Sequence, residues 1–118
     1  MERMEVILRS SFVGFYNFGE DLRTSSIQLY KCPIGKRGKI ILIQVTNISG
    51  AAVYSVTVNW IDSSRNNKQL KLANICPVPV NRAINLIKGI LILEEGDSIT
   101  AYANVPNVLS ISGSVHEF

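Results

Sequence analysis

The chain has 118 residues, of which 47% are apolar and 18% charged, with a net charge of +3. This is the length of one domain, and it can bury a core without metals or disulfides. Charge is low against the usual ~25%, so much surface is expected to be buried, in part against neighbours. Two cysteines, each preceding a proline, and one histidine exclude a four-ligand zinc site.

The pass along the chain begins at MERMEVILRSS, a strand-like start whose Glu2, Arg3, Glu5 and Arg9 interrupt any apolar run. A membrane span needs ~20 apolar residues, and runs such as Ile90 to Leu93 are only strand-sized. With neither signal peptide nor span in view, the chain is expected to be made and kept, at least initially, inside a cell. Next comes FVGFYNFG, which holds Phe12, Phe15, Tyr16 and Phe18; only Phe118 remains of the four phenylalanines. The spacing of three suggests a helical face, but Gly14 and Gly19 argue against a helix. These rings either fold back to cap the domain or form an arm that docks on a neighbouring subunit. The polar stretch GEDLRTSS then marks a boundary, so residues 1–24 are expected to be an arm or hairpin and 25–118 a single domain.

From there the periodicity is that of strands. Ile27–Cys32 is followed by Lys39–Thr46, apolar on both faces and thus expected to be a central strand covered on both sides. Val53–Ile61 alternates Tyr54, Val56, Val58 and Trp60 towards a core with Ser55, Thr57 and Asn59 on a wet or polar face. Further strands are expected at Gln69–Ile75, Ile84–Ile87, Ile90–Leu93 and Ser98–Ala103. Val108–His116 closes the series, with Leu109, Ile111 and Val115 inward and the serines and a solvent-exposed His116 outward. Gly, Asn and Pro punctuate the gaps. The expected fold class is all-β: a single antiparallel β-sandwich of about eight strands, jelly-roll or immunoglobulin-like, with an N-terminal aromatic arm.

Chemistry is sparse. GKRGK lacks the phosphate-loop spacing and reads as a hairpin turn. The turn acids Glu94, Glu95, Asp97 and Asp62 read as solvated rather than as a cation site. Cys32 and Cys76 read as small buried side chains, with a mutual disulfide as the alternative. Asn47-Ile48-Ser49 is a formal glycosylation acceptor that looks like a turn. No catalytic residue, cofactor or metal is expected. Between Lys31 and Lys88 nine basic residues face the single acid Asp62, whereas the two ends hold three arginines against eight acids. A basic middle could face an acidic partner. The bases sit at turns and do not interleave with aromatics, so nucleic acid is not an expected partner.

In order, Leu29-Tyr30-Lys31-Cys32-Pro33-Ile34-Gly35-Lys36, Asn47-Ile48-Ser49-Gly50, Glu94-Glu95-Gly96-Asp97-Ser98-Ile99 and Ser114-Val115-His116-Glu117 form a grammar of turns. It resembles that of small all-β virion proteins of tailed bacteriophages over about residues 27–117. Such proteins decorate the capsid or build the neck and tail, so the resemblance implies a non-catalytic structural role and a virion location. The implied partners are the major capsid protein or neck and tail proteins, together with copies of the chain itself, a trimer being favoured. The expected interface residues are Phe12, Phe15, Tyr16 and Phe18 with Lys36, Arg37 and Lys39. A glycan- or nucleic-acid-binding module is the alternative of another class.

Overall fold

A computed structural model describes residues 14–118; Phe12 lies outside them. Nine strands form two antiparallel sheets: β1 (Gly14–Asp21), β2 (Ile27–Lys31), β3 (Gly38–Asn47), β4 (Tyr54–Asp62), β5 (Lys68–Val78), β6 (Ala83–Asn85), β7 (Ile92–Leu93), β8 (Ser98–Ala103) and β9 (Leu109–Glu117). The only helical turn among the described residues is the 3-10 segment Ser63–Arg65. One sheet runs β1-β9-β3-β6, with β7 also pairing β3, and the other runs β2-β8-β4-β5. Setting aside the two-residue β7 and the β4–β5 hairpin within one sheet, successive strands alternate between sheets in jelly-roll order, one of the two forms expected.

Residues 14–21, assigned from the sequence to an arm or hairpin, form the first strand of this order. They pair with β9 without a break from Gly14↔Glu117 to Asp21↔Ser110. The partner strand lies at the far end of the chain, which is why no local pattern announces the pairing. Alternation along β1 sends Phe15 outward, while Tyr16 and Phe18 pack against the core.

The core lies between the sheets. Ile40, Ile43, Val45, Ile111 and Val115 from one face Val56, Val58, Ile99 and Ala101 from the other, all of them buried. All but Ala101 are β-branched, and such residues fill a pleated, buried surface well. Gly113 creates a gap in the middle of β9. A Cβ there would overlap the Phe18 ring and stand 2.7 Å from the Leu42 carbonyl oxygen. The glycine is required for that close approach rather than for backbone freedom.

Two sequence expectations need correction. Lys39–Thr46 is not covered on both sides: a bulge between Ile40 and Leu42 turns Ile41 out to 45% exposure. Conversely, Thr57 and Asn59 are buried rather than wet. The register shifts in β5 opposite Val56–Asn59 fold that strand towards them. The Ile75 amide donates to Thr57 Oγ1 at 3.1 Å, and Lys71 Nζ lies 3.4 Å from Asn59 Oδ1.

Polar hubs hold the ends of the sandwich. Asn47, the last residue of β3, donates from Nδ2 to the carbonyls of Ala52 and Val78 and accepts from Ser49 N and Oγ at Oδ1. Its 2% exposure makes it a bridge between sheets rather than a modification acceptor. At the other end Asp97, also 2% exposed, accepts from Trp60 Nε1, Ser63 N, Ser63 Oγ and the Glu94 amide. Asp62 caps the 3-10 turn. Hydrogen bonds from the Ser64 hydroxyl and then from Arg65, whose Nε lies 2.7 Å away, hold its carboxyl below the usual range. These two turn acids are therefore structural, not merely solvated. Cys32 is buried with its Sγ donating to the Lys36 carbonyl at 3.3 Å, Cys76 is half-buried, and no disulfide joins them.

Gly113→Ala is expected to destabilise the domain by about 1–3 kcal/mol through overpacking. Adding Phe18→Leu should recover part of that loss, because the smaller side chain yields the contested space. Thermal denaturation of the two single variants and the double variant checks this; strictly additive effects would separate the two residues.

Candidate functional site

The outer face of the larger sheet is built by alternation. β9 presents Ser110, Ser112, Ser114 and His116 outward, flanked by β1 on one side and β3 on the other. Register aligns Phe15, His116, Lys39 and Ile92 as one row across β1, β9, β3 and β7. The Phe15 and His116 rings stack with centroids 4.9 Å apart at 28°, and the Phe118 ring is tilted against His116 at 5.7 Å. Phe15 is 69% exposed and Phe118 40%. Exposed aromatic rings in a row, beside the serines of β9 and the exposed Ile41 and Ile92, form a patch suited to burial by a partner.

The basic turn joins this row through the backbone. Arg37 N donates to the Phe118 carbonyl at 2.9 Å, and Phe118 N donates back to Arg37 O at 3.0 Å. Gly35, Lys36, Arg37, Glu94, Glu95 and Phe118 line a shallow hollow of about 520 Å³. Glu95 Oε2 accepts from the Gly35 amide at 3.1 Å and so fixes the turn across the hollow. Below the row the buried Tyr30 hydroxyl donates to Glu117 Oε2 at 2.6 Å and holds the end of β9 from inside. Burial first, and that hydrogen bond second, push the Tyr30 hydroxyl well above its ordinary value of 10.0.

Of the residues expected at an interface, the fold thus brings Phe15, Lys36, Arg37 and Lys39 to one end of the molecule. Tyr16 and Phe18 face inward, Tyr16 tilted against Tyr30 at 5.3 Å and Phe18 over Gly113. His116 and Phe118, which the sequence reading left out, complete the row. His116 is half-buried in contact with two rings rather than freely exposed. The available signal was their shared parity: residues 110, 112, 114, 116 and 118 alternate onto one face.

Among the described residues no three His, Cys, Asp or Glu side chains gather as a metal site, and no helix is long and apolar enough to cross a membrane.

No family model and no curated protein matches the chain. Among solved structures it is similar to a Drosophila NLP core, described in terms of pentamer formation and histone binding. The TM-score is 0.49 at 16% identity, covering 89% of this chain and 98% of that one. A pentameric capsid protein from metagenomic phage sequences gives a TM-score of 0.46 at 14% identity, over 85% of this chain and 60% of its own. A second structure of a pentameric capsid protein from metagenomic phage sequences gives 0.44 at 13%, with the same coverage. Likeness at this level does not define a family for the chain.

The Tyr30 shift has a consequence for pH. Below about pH 10 both states keep the phenol protonated and its contribution to stability is whole. Above that, the unfolded chain loses the proton while the fold resists, so stability falls as pH rises. Tyr30→Phe is expected to flatten this alkaline decline in chemical denaturation series from pH 8 to about 11, at the expense of a Glu117 hydrogen bond near neutrality. An unchanged alkaline slope would assign the decline to other groups.

Proposed function

We propose that the protein is a non-enzymatic structural component of a tailed-phage virion that works as a homo-oligomer. Within that class the favoured role is a capsid decoration or cement protein, which stabilises a shell by repeated docking. A neck, head–tail connector or tail-ring component is the second role. The observation that carries the reading is the solvent-facing row Phe15, His116 and Phe118 beside the basic turn at Lys36 and Arg37. The sequence resemblance to phage virion proteins supplies the class of partner. Burying an exposed phenylalanine contributes roughly 1.5–3 kcal/mol before ordering costs. Many such joints acting together hold firmly even where each is weak. The copy number is for measurement to supply. The trimer expected from the sequence has no counterpart in the structural neighbours, both kinds of which are described as pentamers.

The test is co-sedimentation of the purified protein with shells, and separately with neck and tail assemblies, of the phage that encodes it. Saturable binding to shells, with a rise in their disruption temperature, is the outcome expected of a cement protein. Binding only to neck or tail assemblies would select the second role, and binding to none would overturn the reading. Phe15→Ser should leave the melting temperature of the free protein nearly unchanged, because the ring is largely exposed. It should weaken docking by about 2 kcal/mol, or roughly thirty-fold.

A further inference from the structure

The larger sheet ends on β1 at one side. At the other side β6 and then β7 lie along β3. Among the described residues these are the two edges of that sheet, and an edge strand presents backbone groups that can pair with another chain. Every pairing in the sheet is antiparallel, so β1 runs with β3 and opposite to β6 and β7. A second copy set beside the first in the same orientation therefore brings its β1 antiparallel to the β6–β7 edge, which is the pairing used throughout the sheet.

Register fixes what meets across such a joint. Glu20, Ile111, Val45 and Ile84 form one row of the sheet, and Asp21, Ser110, Thr46 and Ala83 form the next. Beyond them the Leu22 amide donates to the Leu109 carbonyl and the Asn47 amide to the Arg82 carbonyl, both at 2.9 Å, which sets Arg82 at the level of Leu22. With two copies at the same height, Asp21 of one stands beside Ala83 of the next, and Glu20 is the diagonal neighbour of Arg82. Diagonal neighbours of this kind are within reach of long side chains. Glu20, Asp21 and Arg82 are exposed, and none forms an ion pair with another described residue. The two edges also differ in sign. β1 holds two acids and no base, whereas residues 63–93, which carry β5, β6 and β7, hold five bases and no acid. Arg23 belongs to the other sheet, where its carbonyl accepts from the Ala103 amide of β8 at 2.8 Å.

We infer that β1 of one copy of the chain docks on the β6–β7 edge of a second copy, with Glu20 and Asp21 set against Arg82. This rests on the homo-oligomer reading above and gives it a joint. Complementary charge at one end of the two edges selects this pairing and its height. At the other end the row Phe15, His116, Lys39 and Ile92 of one copy runs on into Phe15 of the next, so the outward rows of neighbouring copies join end to end. The contact is head-to-tail, with two different edges as its halves, and such contacts close into rings when the rotation allows.

The experiment measures solution mass by light scattering over a dilution series of the full-length chain, with melting by circular dichroism as the check on folding. Glu20→Arg and Arg82→Glu each set like charges across the joint and are expected to raise the concentration for half-assembly about tenfold. Neither should lower the melting temperature of the free chain, because both positions are exposed. Combined in one chain, the two changes should restore assembly, and a one-to-one mixture of the single variants should regain it as well. Asp21→Cys with Ala83→Cys, in a Cys76→Ser background, reads the register directly. Oxidation should link chain to chain, because the two positions stand opposite each other across the joint; within one chain β9 and β3 separate them. Wild-type assembly that neither reversal moves, with no link between chains, would overturn this joint and leave the homo-oligomer reading standing. Reversals that weaken assembly with no rescue and no link would place the contact elsewhere and overturn the joint too. A link with assembly unmoved would keep the strand pairing and overturn the charge contact. A wild-type chain that is a monomer at all concentrations would overturn both the joint and the homo-oligomer.

Discussion

The larger sheet depends on one close approach. β9 lies between β1 and β3, and its centre is Gly113, over which the Phe18 ring packs with the Leu42 carbonyl beside it. Side chains to either side of the glycine, Ile111 and Val115, fill the core normally. The missing side chain at 113 lets β1 lie flat with its ring inside the sandwich. The outward position of Phe15 follows from that inward position of Phe18, since residues three apart on a strand face opposite ways. The external aromatic row is in this sense set by an internal void that another ring fills.

The ends of the sandwich are tied by side chains acting as extra backbone. Asn47 satisfies two carbonyls and one amide in a region where the chain leaves its sheet, and Asp97 gathers two amides, a hydroxyl and an indole. Leaving such buried groups unmade costs more than making them gains. This explains how long turns can close a fold with few ion pairs. The polar residues that the sequence shows as punctuation are therefore part of the interior.

Much of the sheet content was legible because alternation leaves a mark wherever one face is buried. Ser98–Ala103 coincides with its expected bounds, and Val56 and Val58 are buried as their parity required. What escaped was non-local. The strand Gly14–Asp21 looked like an appendage because its partner strand lies at the other end of the sequence. The bulge at Ile41 breaks the parity on which the reading rests, so Ile41 came out exposed, whereas β4 keeps its parity and has Thr57 and Asn59 buried against the irregular β5. At the candidate site, Phe15 was named from the aromatic cluster, and Lys36, Arg37 and Lys39 from the basic middle of the chain. His116 and Phe118 needed the register between strands to join them, and no single segment carries that information.

The pairing of β1 with β9 also orders events during synthesis. The first described strand meets its partner only when the last has left the ribosome. Until then β1 and the apolar β3 lack the strand that pairs with both of them, and the core has no lid on that side. Nascent chains on one message thus pass through a shared interval in which each exposes strand edges that another could capture. Slow, non-local closure of this kind makes the yield of folded protein sensitive to the pace of translation and to how crowded the message is.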